Sequence, residues 1–116
     1  MSKLLIYIGE KMKFDVEPTI SAITSMSKVL SPRRGNFIGA IFECEYVANG
    51  YNTIVRISPE VETITVEGLG DESLDFALEL QKRLTVSLHA IDMDYTFNVA
   101  LRDFNSVAEF RKAISS

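Results

Sequence analysis

The chain has no tryptophan, and cysteine and histidine occur once each, as Cys44 and His89. A single cysteine excludes an internal disulfide framework. His89 has no partner set around it, so a structural or surface role is expected for the imidazole. Walker, zinc-ligand and nucleophile-elbow patterns are all missing. The three prolines and six glycines are scattered, which leaves no low-complexity tract or interior linker. Long apolar runs are missing too. The longest near the start, Leu4-Leu5-Ile6-Tyr7-Ile8, is broken by Gly9-Glu10-Lys11 and is too short for a membrane span or a signal-peptide core. Basic residues are scarce in one region: between Ser58 and Asp94 only Lys82 and Arg83 stand against nine acids.

What remains is ordinary for a globular protein. Hydrophobic residues make up 47% and charged ones 24%, far from the disordered class, and 116 residues fit a single domain spanning 1–116. The net charge of −4 conceals a lopsided distribution. Residues 1–57 carry seven bases and five acids (+2), residues 58–94 two and nine (−7), and residues 95–116 three and two (+1). Charge asymmetry of this kind speaks to partners rather than to fold. With a reduced cysteine and no membrane segment, the expected compartment is the cytoplasm.

Periodicity supplies the elements. Leu4–Ile8 reads as a buried strand. Glu17 to Leu30 changes to helical spacing, with Pro18 in the first turn and Ile20, Ile23, Met26 or Ser27, and Leu30 on one face. Ser31-Pro32-Arg33-Arg34-Gly35 then reads as a basic loop. Residues 37–47 and 51–58 flank Asn49-Gly50, a type I′ hairpin signal. A two-residue turn pairs Tyr46 with Thr53, Cys44 with Val55 and Phe42 with Ile57 on one face, and Glu43 with Arg56 on the other. Pro59-Glu60 turns the chain into a third meander strand, Thr63–Glu67.

Asp71 is the expected N-cap of a helix running to Leu84, with Leu74, Phe76, Ala77, Leu78, Leu80, Gln81 and Leu84 turned inward. Ser87–Ile91 and Tyr95–Leu101 read as two strands joined at Asp92-Met93-Asp94, or as one unbroken strand. Ser106-Val107-Ala108-Glu109 has the form of a capping box, opening a last helix with Val107, Phe110 and Ile114 inward. The order β-α-β-β-β-α-β-β-α predicts an α+β fold, with a mainly antiparallel sheet of five to six strands backed by helices.

Small motifs give little chemistry. Asp92-x-Asp94 has the spacing to share a divalent cation, but the same pair caps turns. Gly68-x-Gly70 ahead of a helix suggests a phosphate loop, yet Asp71-Glu72 would repel phosphate. Cys44, facing Val55, is expected to be buried and inert. Arg33-Arg34, without interleaved aromatics, is a poor nucleic-acid signal. Glu72, Asp75 and Glu79 are helical neighbours, and Asp92 and Asp94 join them only if the following turn packs beside that helix.

From Ala77-Leu78-Glu79-Leu80-Gln81-Lys82-Arg83-Leu84, through Ile91-Asp92 and Asp94-Tyr95-Thr96-Phe97, to Asn105-Ser106-Val107-Ala108-Glu109-Phe110, the chain resembles small bacterial immunity proteins of contact-dependent growth inhibition and other polymorphic toxin systems. The resemblance covers about a third of the chain. It implies a non-catalytic protein without cofactor or metal, which neutralises a cognate toxin, often a nuclease, and it transfers no catalytic residue. The partner-binding set expected on this reading is Glu72, Asp75, Glu79, Asp92, Asp94 and Tyr95, facing a basic protein. Neither nucleic acid nor membrane is an expected partner. Two other classes remain open: a homo-oligomeric interaction domain such as a homodimer, and a small metal-dependent enzyme using Asp92 and Asp94.

Overall fold

The computed structural model describes residues 3–9, 11–37 and 39–115. Glu10, in the expected break after the first strand, and Ile38, in the expected first hairpin strand, lie outside them. In chain order the elements are β1 (Lys3–Tyr7), α1 (Val16–Thr24), β2 (Val29–Phe37), β3 (Ala40–Ala48), β4 (Tyr51–Ile57) and β5 (Thr63–Glu67). There follow α2 (Asp71–Arg83), β6 (His89–Asp92), β7 (Asn98–Ala100), a 3₁₀ turn at Leu101–Asp103 and α3 (Val107–Ile114). The strands form one sheet in the order β2-β3-β4-β5-β1-β6-β7. Every neighbouring pair is antiparallel. The class is α+β, with one strand more than expected.

The β3–β4 hairpin forms as its turn dictates. Asn49 and Gly50 have φ of 56° and 80°, the left-handed pair that a type I′ turn requires. The register follows: Tyr46 faces Thr53, Cys44 faces Val55, Phe42 faces Ile57, and Glu43 faces Arg56. Strand side chains alternate in burial along β1, β3, β4 and β5. The buried set joins residues of all three helices in one core, including Leu4, Ile6, Ile23, Phe42, Ile64, Leu74, Phe76 and Phe110. Tyr46 and Phe76 meet edge to face at 5.3 Å, tying α2 to β3. The helices therefore cover one face of the sheet.

The other face lies open and is ordered by charge. Arg56 Nε donates to Glu43 at 2.7 Å, and its Nη1 donates to Glu67 at 2.8 Å. Arg33 pairs with Glu43, and Lys3 lies 3.6 Å from Glu67. Five alternating charges thus cross five adjacent strands, from β2 to β1. Beside them the Tyr7 and His89 rings pack at 5.4 Å, and the Tyr7 hydroxyl donates to Asn98 at 3.0 Å.

Three local expectations are corrected. The first helix ends at Thr24, and residues 29–37 form an edge strand instead of a helix end and a basic loop. Pro32 and Gly35 are accommodated because β2 is irregular: its register shifts between Leu30 and Arg33 and between Arg34 and Phe37, and Ser31 has φ of 51°. Asp71 is the first helical residue of α2, and Gly70 holds the N-cap position. The final strand is only Asn98–Ala100. Tyr95 lies in the turn before it with φ of 56°, and Leu101 already begins the 3₁₀ turn. The capping box of α3 forms: Ser106 Oγ accepts from the Glu109 N–H at 3.2 Å, while Glu109 Oε1 accepts from the Asn105 N–H at 3.0 Å.

Candidate interaction surface at one end of the sheet

Three connections meet at one end of the sheet: the Asn49-Gly50 turn, the Gly68–Gly70 loop leading into α2, and the turn after β6. The register requires it. Ala48 faces Tyr51 across the first turn, Val55 faces Val66, Lys3 faces Glu67, and Leu4 faces Asp92. The two acidic groups expected from the sequence therefore share one end of the molecule, but they are not side by side. Helix α2 packs on β3 and β4. Asp92 ends β6, on the far side of β5 and β1, roughly 14 Å from β4 at three strand spacings.

Within α2 the acids differ in availability. Glu72 is half-buried in the first turn and makes no ion pair with a described residue; its carboxylate folds back over Gly70, where an added Cβ would lie 2.1 Å from Oε1. Asp75 Oδ2 accepts from the Tyr46 hydroxyl at 2.5 Å and from Lys28 Nζ at 3.1 Å. Burial first, and then the neighbouring Asp75 carboxylate, push the Tyr46 phenol far above its ordinary pKa, so the hydroxyl stays a donor. Glu79 lies one turn beyond Asp75, with Lys82 at 3.5 Å and Arg83 at 3.8 Å. Much of the acidity that the sequence places on this helix is thus neutralised locally.

The turn after β6 behaves differently. Asp92 is buried, and its two carboxylate oxygens are taken by Thr96: Oδ1 accepts the Thr96 N–H at 2.7 Å, and Oδ2 accepts the Thr96 hydroxyl. The Tyr95 N–H closes the turn on the Asp92 carbonyl at 3.2 Å. Burial works against the charged carboxyl, but hydrogen bonds from the Thr96 hydroxyl and from the Thr96 and Phe97 N–H groups outweigh it and hold the pKa below the usual range. Fixed on this anchor, Met93, Asp94 and Tyr95 project outward, with Met93 48% and Tyr95 77% exposed. Asp94 is exposed and makes no ion pair with a described residue.

Tyr51, 66% exposed beside the Asn49-Gly50 turn, belongs to the same end and was not expected from the sequence. The only early signal was its place at the hairpin tip. Between that tip, α2 and α3 opens a cleft of about 590 Å³, lined by Asn49, Asp71, Asp75, Val107, Arg111 and Lys112. Arg111 donates to Asp71 at 2.9 Å and to the Leu69 carbonyl at 2.7 Å, which fixes α3 against the start of α2.

Chemistry is sparse elsewhere. Among the described residues no three His, Cys, Asp or Glu side chains converge as metal ligands, and Asp92 is committed to Thr96. Cys44 is buried, and burial, reinforced by Glu43 and Glu45, pushes its thiol up to about 12. No helix among the described residues is long and apolar enough to cross a membrane. No protein-family model matches the chain, nor does any curated protein or solved structure.

Proposed function

We propose that the chain is a non-catalytic binding protein of the immunity type, which neutralises a basic toxin domain in the cytoplasm through the sheet end that carries Tyr51, Met93, Asp94 and Tyr95. The observation that carries the reading is the β6–β7 turn: an exposed tyrosine, methionine and acid, the acid without an ion pair among the described residues, held by the bonds of buried Asp92 to Thr96. Tyrosine and methionine are enriched at interfaces, and tyrosine among the residues that dominate binding energy. A preformed turn also lowers the entropy lost on binding. Tyr51, across roughly 14 Å of sheet, falls within one interface of standard size. Asp94 and Glu72, which make no ion pair among the described residues, supply negative charge that would speed encounter with a basic surface such as a nuclease site. Asp75 and Glu79 contribute less, because each already has a cationic partner.

The homo-oligomer reading has less support at the sheet edges. Strand β2 is interrupted by Pro32 and two register shifts, and β7 is three residues long, features that discourage edge-to-edge pairing. The test is affinity capture from the native host, followed by expression of the captured protein alone and together with this chain. The reading expects toxicity that co-expression relieves. A captured partner that is harmless by itself contradicts it.

A further inference from the structure

At the opposite end of the sheet, where β1 leads into the loop before α1 and α2 gives way to the segment before β6, lies a groove of about 340 Å³. Its walls include Ile8, Met12, Phe14, Leu84 and Val86, with Met12 54% and Val86 42% exposed. Thr19 also lines it. That residue is 2% exposed, yet its hydroxyl has no hydrogen-bond partner among the described residues. No fully enclosed polar side-chain atom of those residues goes unpaired, so this hydroxyl keeps access to solvent, and the groove is the opening that its residue lines. The hydroxyl is thus able to pair with solvent or with a polar group of a ligand in the groove.

The mouth supplies the rest. Lys13 and Asp15 line it two residues apart; both are exposed, and neither forms an ion pair with a described residue. Asp15 lies one helical turn before Thr19, whose N–H donates to the Asp15 carbonyl at 3.0 Å. A cation, an anion and a free hydroxyl beside an apolar groove are complementary to a zwitterion with an apolar tail. A fatty carboxylate would leave Asp15 facing like charge, and an apolar amine would do the same to Lys13. The volume lies at the small end of ligand sites, suited to a molecule of amino-acid size.

We propose that this groove binds a free apolar α-amino acid. Its ammonium lies at Asp15 and the Thr19 hydroxyl, its carboxylate at Lys13, and its side chain against the apolar walls. The site is independent of the interaction surface at the other end.

The test is an amide NMR titration of the full chain with L-leucine and L-phenylalanine, against 4-methylpentanoate, 3-methylbutylamine and glycine. The proposal expects saturable shifts confined to residues 8–19 and 84–86 for the two amino acids. Removing either charge from the ligand should weaken binding about tenfold, the scale of one charge-assisted hydrogen bond, and glycine should not bind. Asp15→Asn should weaken L-leucine without weakening 4-methylpentanoate, which loses a like charge, and Lys13→Met should weaken L-leucine without weakening 3-methylbutylamine. The same spectra report that each variant is folded. Two results overturn the proposal: no saturable shift up to about 20 mM, far above the millimolar range of a weak specific site, or equal binding of all the apolar probes, which marks a crevice without charge recognition.

Discussion

Thr96→Val removes one hydroxyl and keeps the side chain's shape, so it isolates the bond on which the exposed turn depends. Asp92 is buried and keeps the Thr96 N–H as a partner at 2.7 Å, but it loses the hydroxyl. A hydrogen bond to a charged acceptor contributes about 1.5–3 kcal/mol, and the outer position of the turn favours the low end, about 1.5–2 kcal/mol. With an unfolding entropy of about 2.1 cal/mol/K per residue, 116 residues give about 0.24 kcal/mol/K, so the melting temperature should fall by about 6–8 °C at pH 7. The pH dependence has a definite sign. The folded-state pKa of Asp92 is depressed, so its contribution is present above the unfolded value near 4 and is lost as pH falls through the folded value. The variant's deficit should therefore be largest at neutral pH and shrink below about pH 4. Calorimetry of both proteins from pH 7 to pH 3 measures it. A deficit that is the same across that range would refute the reasoning, because it would place the cost in packing instead of in the charged carboxyl.

Gln81 clamps the segment before β6, donating to the Val86 carbonyl at 2.8 Å and accepting from the Leu88 N–H at 2.7 Å. Gln81→Leu leaves both groups unpaired and should cost about 2–3 kcal/mol, with faster hydrogen exchange at the Leu88 amide. Cys44 should resist alkylation at pH 8 in the folded protein, since burial pushes its thiol up to about 12, and should react fully in denaturant. The Arg33 and then the Arg56 guanidinium hold the Glu43 carboxyl below its usual range, so Glu43→Gln should lower stability by about 1 kcal/mol at pH 7. Because that pKa is depressed, the difference should vanish in urea titrations as pH drops below the ordinary glutamate range.

The features legible in the sequence were those fixed by local chemistry. Asn49-Gly50 admits one hairpin turn, and that turn set the register down to the Glu43–Arg56 pair. The helical stripe of α2 and the Ser106/Glu109 box are equally local signals. Residues 29–35 read as a helix end and a loop because Pro32, Arg33, Arg34 and Gly35 carry loop chemistry, whereas their strand is imposed by a partner: Arg33 meets Glu43 across the sheet. Leu30, assigned to a helix face, lies 48% exposed on that edge strand for the same reason. The acids divided along similar lines. Asp92-Met93-Asp94 reads as a turn and is one, whereas Tyr95, whose alternation with Phe97 and Val99 suggests a strand start, belongs to that turn with φ of 56°. The neutralisation of Asp75 by Tyr46 and Lys28 depends on residues 29 and 47 positions away, beyond the reach of any local pattern. Tyr51 was missed as a surface residue because pairing with Ala48 suggests an ordinary strand position, and only the fold brings it to the same end as Tyr95.

The most direct measurement of the central claim is the affinity of the captured toxin domain for the double variant Asp94→Lys/Tyr95→Ala, by calorimetry or surface plasmon resonance at two salt concentrations. An interface centred on the β6–β7 turn predicts a loss of about 30-fold or more, the scale of one dominant aromatic contact, with the Asp94 share appearing as slower association that salt diminishes. Affinity and association rate unchanged from the parent chain would contradict it.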